Sequence, residues 1–223
     1  HGDLTTYIPP TDTDEEGGAL IDSTASENIV IAIEEAENDE SIKAIILEID
    51  SYGGSAVAAE EVSNALKNAK KPTVALIRDG GVSAAYFAAT GADKIFASKN
   101  SDVGSIAVTM SYLDNAKQNQ KEGLTYNQLS SGKFKDTGDP DRALSAEEIK
   151  LLMRDVNIIH RNFMKAVAEN RNLDIKKVET IADGSTMLGE MALQNGLIDQ
   201  IGGIFEVKEY LKEKIGEETE VCW

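Results

Sequence analysis

Cysteine is nearly absent from this 223-residue chain: Cys222 is the single one, beside two histidines, four prolines and one tryptophan. One thiol closes no internal disulfide and builds no structural zinc site. His1 stands at the first position and His160 falls in an amphipathic stretch, so a Ser-His-Asp triad is poorly supplied. Aromatic residues make up 5%, which leaves Ala, Ile, Leu and Val to build the interior. No run of about 18 apolar residues occurs, so no transmembrane helix is read within these residues. Basic residues are few against acidic ones, 22 to 39, for a formal net charge of -17. Such a surface repels phosphate backbones and anionic lipid, which sets nucleic acid aside as a partner. What the chain does have is 41% hydrophobic content over a length suited to one globular domain.

The order of patterns predicts an α/β fold, a layered parallel β-sheet with helices and an extended helical second half. The expected organisation is a single domain over 1–223, with an acidic N-terminal segment (1–25), an α/β core (26–135) and a helical part with closing βα elements (136–223). Residues 10–18 (PTDTDEEGG) read as a surface loop, and Thr24-x-x-Glu27 as a capping box ahead of a helix marked by Ile29, Val30, Ile33 and Ala36. AIILEI (44–49) and TVALI (73–77) are short apolar runs of the kind buried in parallel sheets. Val57, Val62, Ala65, Leu66 and Ala69 place a helix between them. KIFA (94–97), SIAVTM (105–110) and LTYNQL (124–129) read as further strands. Ser145 with Glu148 three residues on starts a long helix, whose stripe runs Ile149, Leu152, Val156, Ile159, Phe163, Val167.

Two segments invite chemistry. Gly53-Gly54 follows a strand and precedes a helix, where glycine lets backbone N–H groups face a ligand; a plain tight turn is the other reading. Ser83, in Gly80-Gly81-Val82-Ser83-Ala84-Ala85-Tyr86, also falls between strand and helix, where it is either a nucleophile or a helix N-cap. With histidine scarce, a lysine is the alternative base, provided burial lowers its pKa from about 10.4 toward 7–8. The candidates lie in SSGKFKD (130–136), and spacing alone does not choose between Lys133 and Lys135.

SYGGS (51–55), GGVSAAYFAATGADKIFA (80–97), DVGSIAVTM (102–110), SSGKFKD, ADGSTMLGEMALQNGLID (182–199) and IGG (201–203) occur in order. Together they resemble the signal peptide peptidase A (protease IV) family, in its short single-copy form, within the Clp-peptidase and crotonase fold group. The resemblance implies a serine endopeptidase with Ser83 as nucleophile and Lys135 as general base. The oxyanion donors it implies are the backbone N–H groups of Gly54 and Ala84, with Ser105 hydrogen-bonded to the base. It implies no metal or organic cofactor, and substrates that are apolar peptides such as residual signal peptides. It further implies a homo-oligomeric ring, an octamer, with the dyad shared between protomers, and a full-length protein anchored in the membrane with its catalytic part extracytoplasmic. The chain departs from the family pattern at Tyr52, where Pro is usual, and at Ala84, where Gly is common. The rival readings are a crotonase-like acyl-CoA enzyme and a non-catalytic scaffold of the same fold. A Clp-type histidine is not among them, since Val108 stands where it is expected.

Overall fold

A computed structural model describes residues 1–7, 22–218 and 220–222; the loop read over 10–18 lies outside the described residues. The chain opens with β1 (Asp3–Thr5), which pairs in parallel with β2 (Ser23–Ala25). There follow α1 (Ser26–Asn38), β3 (Ile45–Ser51), α2 (Ala56–Asn68), β4 (Thr73–Val82), α3 (Ala84–Ala89), β5 (Lys94–Ala97) and β6 (Asp102–Gly104). The second half holds α4 (Ala116–Lys121), α5 (Ala146–Asn170), α6 (Ile175–Ile181), β7 (Thr186–Leu188), α7 (Gly189–Asn195), β8 (Gln200–Ile201) and α8 (Ile204–Ile215). Two compact units result, one made of 1–107 with 163–223, the other of 108–162.

The first unit is organised on β4. This strand is parallel to β3, β5 and β6; β8 adds to β5 in parallel, and β7 closes on β6 antiparallel. Val74 to Ile77 are buried on both faces of the sheet, which is why the segment reads as a continuous apolar run without alternation. Ala75 and Ile77 join the core built with Val62 and Leu66 of α2 and Tyr86 of α3, whereas Val74 and Leu76 pack with Phe96 and with Val207 and Leu211 of α8. Helices thus cover both faces, the α/β layering that the pattern predicts.

Several expectations need correcting. SIAVTM forms no strand: Ser105 takes φ 51, which breaks extended backbone at the first residue, and pairing is confined to Asp102–Gly104. LTYNQL has no strand partner among the described residues either, and Leu129 is 98% exposed. Thr24 caps nothing. It lies in β2, where its hydroxyl donates to the His1 carbonyl, and α1 starts after Ala25 with no side-chain cap. β4 runs beyond TVALI through Asp79, Gly80 and Gly81, delivering the chain to Ser83 without a loop. The long helix does begin as read: the Ser145 N–H donates to Glu148 Oε2 at 2.9 Å and the Glu148 N–H to Ser145 Oγ at 3.3 Å. Among the described residues no helix is long and apolar enough to cross a membrane.

Candidate active site

Ser83 occupies the joint between β4 and α3. Its backbone has φ 54 and ψ -126, a conformation that a residue with a side chain rarely adopts. The flanking structure imposes it. Val82 is in register with Gly104, the Ser83 N–H donates to the Gly104 carbonyl at 2.8 Å, and α3 begins at the next residue. The N-cap reading of Ser83 is not what its hydroxyl does, because the side chain makes no capping bond to α3. Among the described residues Oγ has no hydrogen-bond partner at all, and the residue is half-buried. A strained serine on a strand-to-helix turn, with its hydroxyl uncommitted, is how a hydrolase presents a nucleophile.

The glycine pair stands against it. A Cβ at Gly53 would lie 3.0 Å from Ser83 Cβ and 3.2 Å from its Oγ, and Gly53 has φ 131. A side chain there would therefore meet both strain and the serine. Gly54 has φ 140 and is bridged to β1: the Leu4 N–H donates to the Gly53 carbonyl at 2.8 Å and the Ser55 N–H to the Leu4 carbonyl at 2.7 Å. The Gly54 N–H itself is bonded to none of the described residues. Ala84 opens α3, where first-turn N–H groups have no intrahelical acceptor. Among the described residues the two amides named from the sequence are thus both uncommitted donors, and each belongs to a segment that touches Ser83.

Ser105 follows the Gly104 whose carbonyl holds the Ser83 N–H. Its N–H donates to the Ser185 carbonyl and its Oγ to the Gly184 carbonyl, each at 3.0 Å. The hydroxyl proton is committed there, and the oxygen keeps lone pairs to accept from a partner. Tyr52 is 61% exposed, and its hydroxyl donates to Asp79 Oδ2 at 3.0 Å, a bond that raises the phenol above its usual range.

Lys135 belongs to the second unit, as does Lys133. Lys133 forms an exposed ion pair with Glu147 at 2.6 Å and lies 5.2 Å from the centre of the Phe134 ring, an ordinary surface role. Lys135 is exposed, and among the described residues its ammonium has no ion-pair or hydrogen-bond partner. The burial that a lysine base needs is not provided around it within this chain's second unit.

Sequence reasoning overlooked the polar cluster beside this loop. Glu148 is 3% exposed and receives the Arg142 guanidinium in a two-pronged contact through both of its oxygens, one arm at 2.9 Å. Ser145 Oγ donates to the same carboxylate at 2.8 Å and Thr137 Oγ1 at 3.2 Å. Arg142 Nη2 also donates to the Asp136 carbonyl at 2.7 Å. Only the capping box was visible in advance; Arg142, six residues before the glutamate, carried no periodic signal. His160 lies half-buried on α5.

Comparison with known proteins places these features in context. The sequence model of peptidase family S49 matches residues 65–217. A protein of Methanocaldococcus jannaschii is 36% identical over 172 residues, 76% of this chain and 55% of its own length. The chloroplastic serine protease SPPA of Arabidopsis thaliana is 30% identical over 201 residues, 89% of this chain and 29% of its own length. The chain therefore spans about half, or less, of the length of these relatives. Among solved structures, a ClpP1 mutant from Listeria monocytogenes superposes with a TM-score of 0.54 at 13% identity, over 81% of this chain and 85% of that one. That likeness identifies the fold as Clp-peptidase-like.

Proposed function

The chain belongs to peptidase family S49, and from that premise we propose that it is a serine endopeptidase working through a Ser83–Lys135 dyad on apolar peptides such as residual signal peptides. The neutral Lys135 amine takes the Ser83 proton as Oγ adds to the scissile carbonyl. The resulting oxyanion is held by the Gly54 and Ala84 N–H groups. The Lys135 ammonium then gives its proton to the leaving amine, the C–N bond breaks, and an acyl-serine remains. Water, deprotonated by the same amine, adds to the ester and releases the acid, restoring the serine proton. Ser105 accepts a hydrogen bond from the ammonium and orients it. The observation that carries this reading is Ser83 itself: strained, uncapped, and faced by a glycine that leaves its hydroxyl room.

The test is digestion of a mixed peptide library with mapping of the new termini. Internal cleavage at apolar sequences is expected, with no turnover of acyl-CoA thioesters. Thioester turnover without peptide cleavage would move the chain to the crotonase-like reading, and neither activity would move it to the scaffold reading.

The dyad is proposed to be shared between copies of a closed ring, an octamer by family resemblance, within a protein whose full length is membrane-anchored outside the cytoplasm. The exposed Lys135 supports sharing, since a neighbouring copy would supply the cover that a neutral amine requires. Ser83→Ala and Lys135→Ala proteins, each inactive, are expected to regain partial activity when unfolded together and reassembled. Only interfaces between different copies then unite an intact serine with an intact lysine. A dead mixture would put both groups of the dyad in one chain.

A further inference from the structure

The loop that carries Lys135 has no regular secondary structure, yet a general base has to stand within hydrogen-bond reach of its proton. Something must hold it. Two contacts reach the loop from the first turn of α5. One, Lys133 to Glu147, joins two exposed side chains and is screened by water, so it fixes little. The other is the Arg142–Glu148 pair, whose carboxylate is buried and whose every partner is a neighbour of the loop. Nη2 of Arg142 grips the Asp136 carbonyl, one peptide past Lys135, and Thr137 donates to Glu148 Oε1 at the residue after that. The carboxylate is in turn pinned to the start of α5 by the Ser145 N–H and hydroxyl. The start of α5 is thereby bonded, through an ion pair whose carboxylate is buried, to the backbone immediately following the base.

We propose that Arg142 and Glu148 are positioning residues, whose ion pair fixes the backbone at Asp136 and Thr137 and so sets where the Lys135 amine stands. This rests on the reading of Lys135 as the base. Arg142 suits the task where lysine would not: the planar fork makes both carboxylate bonds and still presents an N–H to the carbonyl. Hydrogen bonds from Arg142 and Ser145 hold the Glu148 carboxyl well below the usual carboxylate range. Its contribution is therefore complete at and above the pH where an ordinary glutamate ionises, and fades only on acidification through the lowered value.

The experiment compares wild type, Arg142→Ala, Arg142→Lys and Lys135→Ala for kcat, KM and melting temperature on one peptide, with and without guanidinium ion at non-denaturing concentration. Arg142→Ala is expected to lose about 100-fold in kcat, the cost of a base displaced by roughly 1 Å, with KM little changed. Added guanidinium is expected to restore much of that loss in Arg142→Ala and none in Lys135→Ala. Should Arg142→Ala fail to fold, Arg142→Lys, which keeps the charge and loses the fork, is expected to show the same kcat loss. Full kcat in folded Arg142 variants beside a dead Lys135→Ala would overturn the positioning role and leave the dyad standing. A kcat loss that only follows the folded fraction, unmoved by guanidinium, would overturn it as well. An active Lys135→Ala would remove the base assignment, and the positioning role with it.

Discussion

Ser83→Ala is expected to lower peptide hydrolysis by about 10³-fold or more while leaving the fold in place, and Lys135→Ala to do the same. Ser83 Oγ makes no bond to the described residues, so removing it breaks no cap and strands no partner; the alanine inherits only the φ 54 strain already present. Lys135 is exposed and unpaired among the described residues, so its truncation also leaves no buried charge behind. Loss of activity without loss of melting temperature is thus the expected signature for both. Lys133→Ala is the control. It removes an exposed ion pair of little value and should leave turnover close to wild type. Were Lys133→Ala inactive and Lys135→Ala active, the assignment of the base would be reversed.

The second large effect is expected at Gly53. In Gly53→Ala the new Cβ would sit 3.0 Å from Ser83 Cβ and 3.2 Å from Oγ, at a φ of 131 that alanine resists. Either the serine yields or the glycine segment does. If the segment yields, the adjacent Gly54 N–H leaves its proposed oxyanion position, a displacement expected to cost about 10²–10³-fold in turnover. The strain itself amounts to about 1–3 kcal/mol, small enough for a folded protein to survive. Gly54→Ala is expected to behave differently. Its Cβ would fall 2.1 Å from the Leu4 carbonyl oxygen, inside the bridge to β1, so the strand has to detach and stability falls along with activity. Kinetics measured beside a thermal melt separate the two: activity alone at Gly53, both quantities at Gly54.

Much of the first unit was legible because its signals are redundant. The runs at 74–77 and 95–97 are apolar on both faces, and they are buried on both faces; β5 begins and ends where the sequence reading puts it. The same logic misled at 105–110. An apolar, β-branched hexamer is a strand only if an edge is free to pair with it, and the positive φ of Ser105 turns the chain away after Gly104. At Ser83 the sequence left two roles open, cap or nucleophile, because a serine after a strand and before a helix looks alike in both. The cap reading fails because the side chain makes no capping bond to α3, and the strained φ of 54 beside it is something a non-glycine residue gives no hint of in its letter. The Arg142–Glu148 pair was hidden for another reason. Apart from Ser145 of the capping box, its partners include the Asp136 carbonyl and Thr137 in an irregular loop, joined by no period that a sequence displays.

Whether Ser83 is the nucleophile and Lys135 its base is decided by labelling with a fluorophosphonate serine probe, followed by peptide mapping in a mass spectrometer. One adduct is expected, on Ser83, formed at a similar rate in wild type and Lys133→Ala and far more slowly in Lys135→Ala. An adduct on any other serine, or continued peptide cleavage by a protein whose Ser83 has been replaced by alanine, would contradict it.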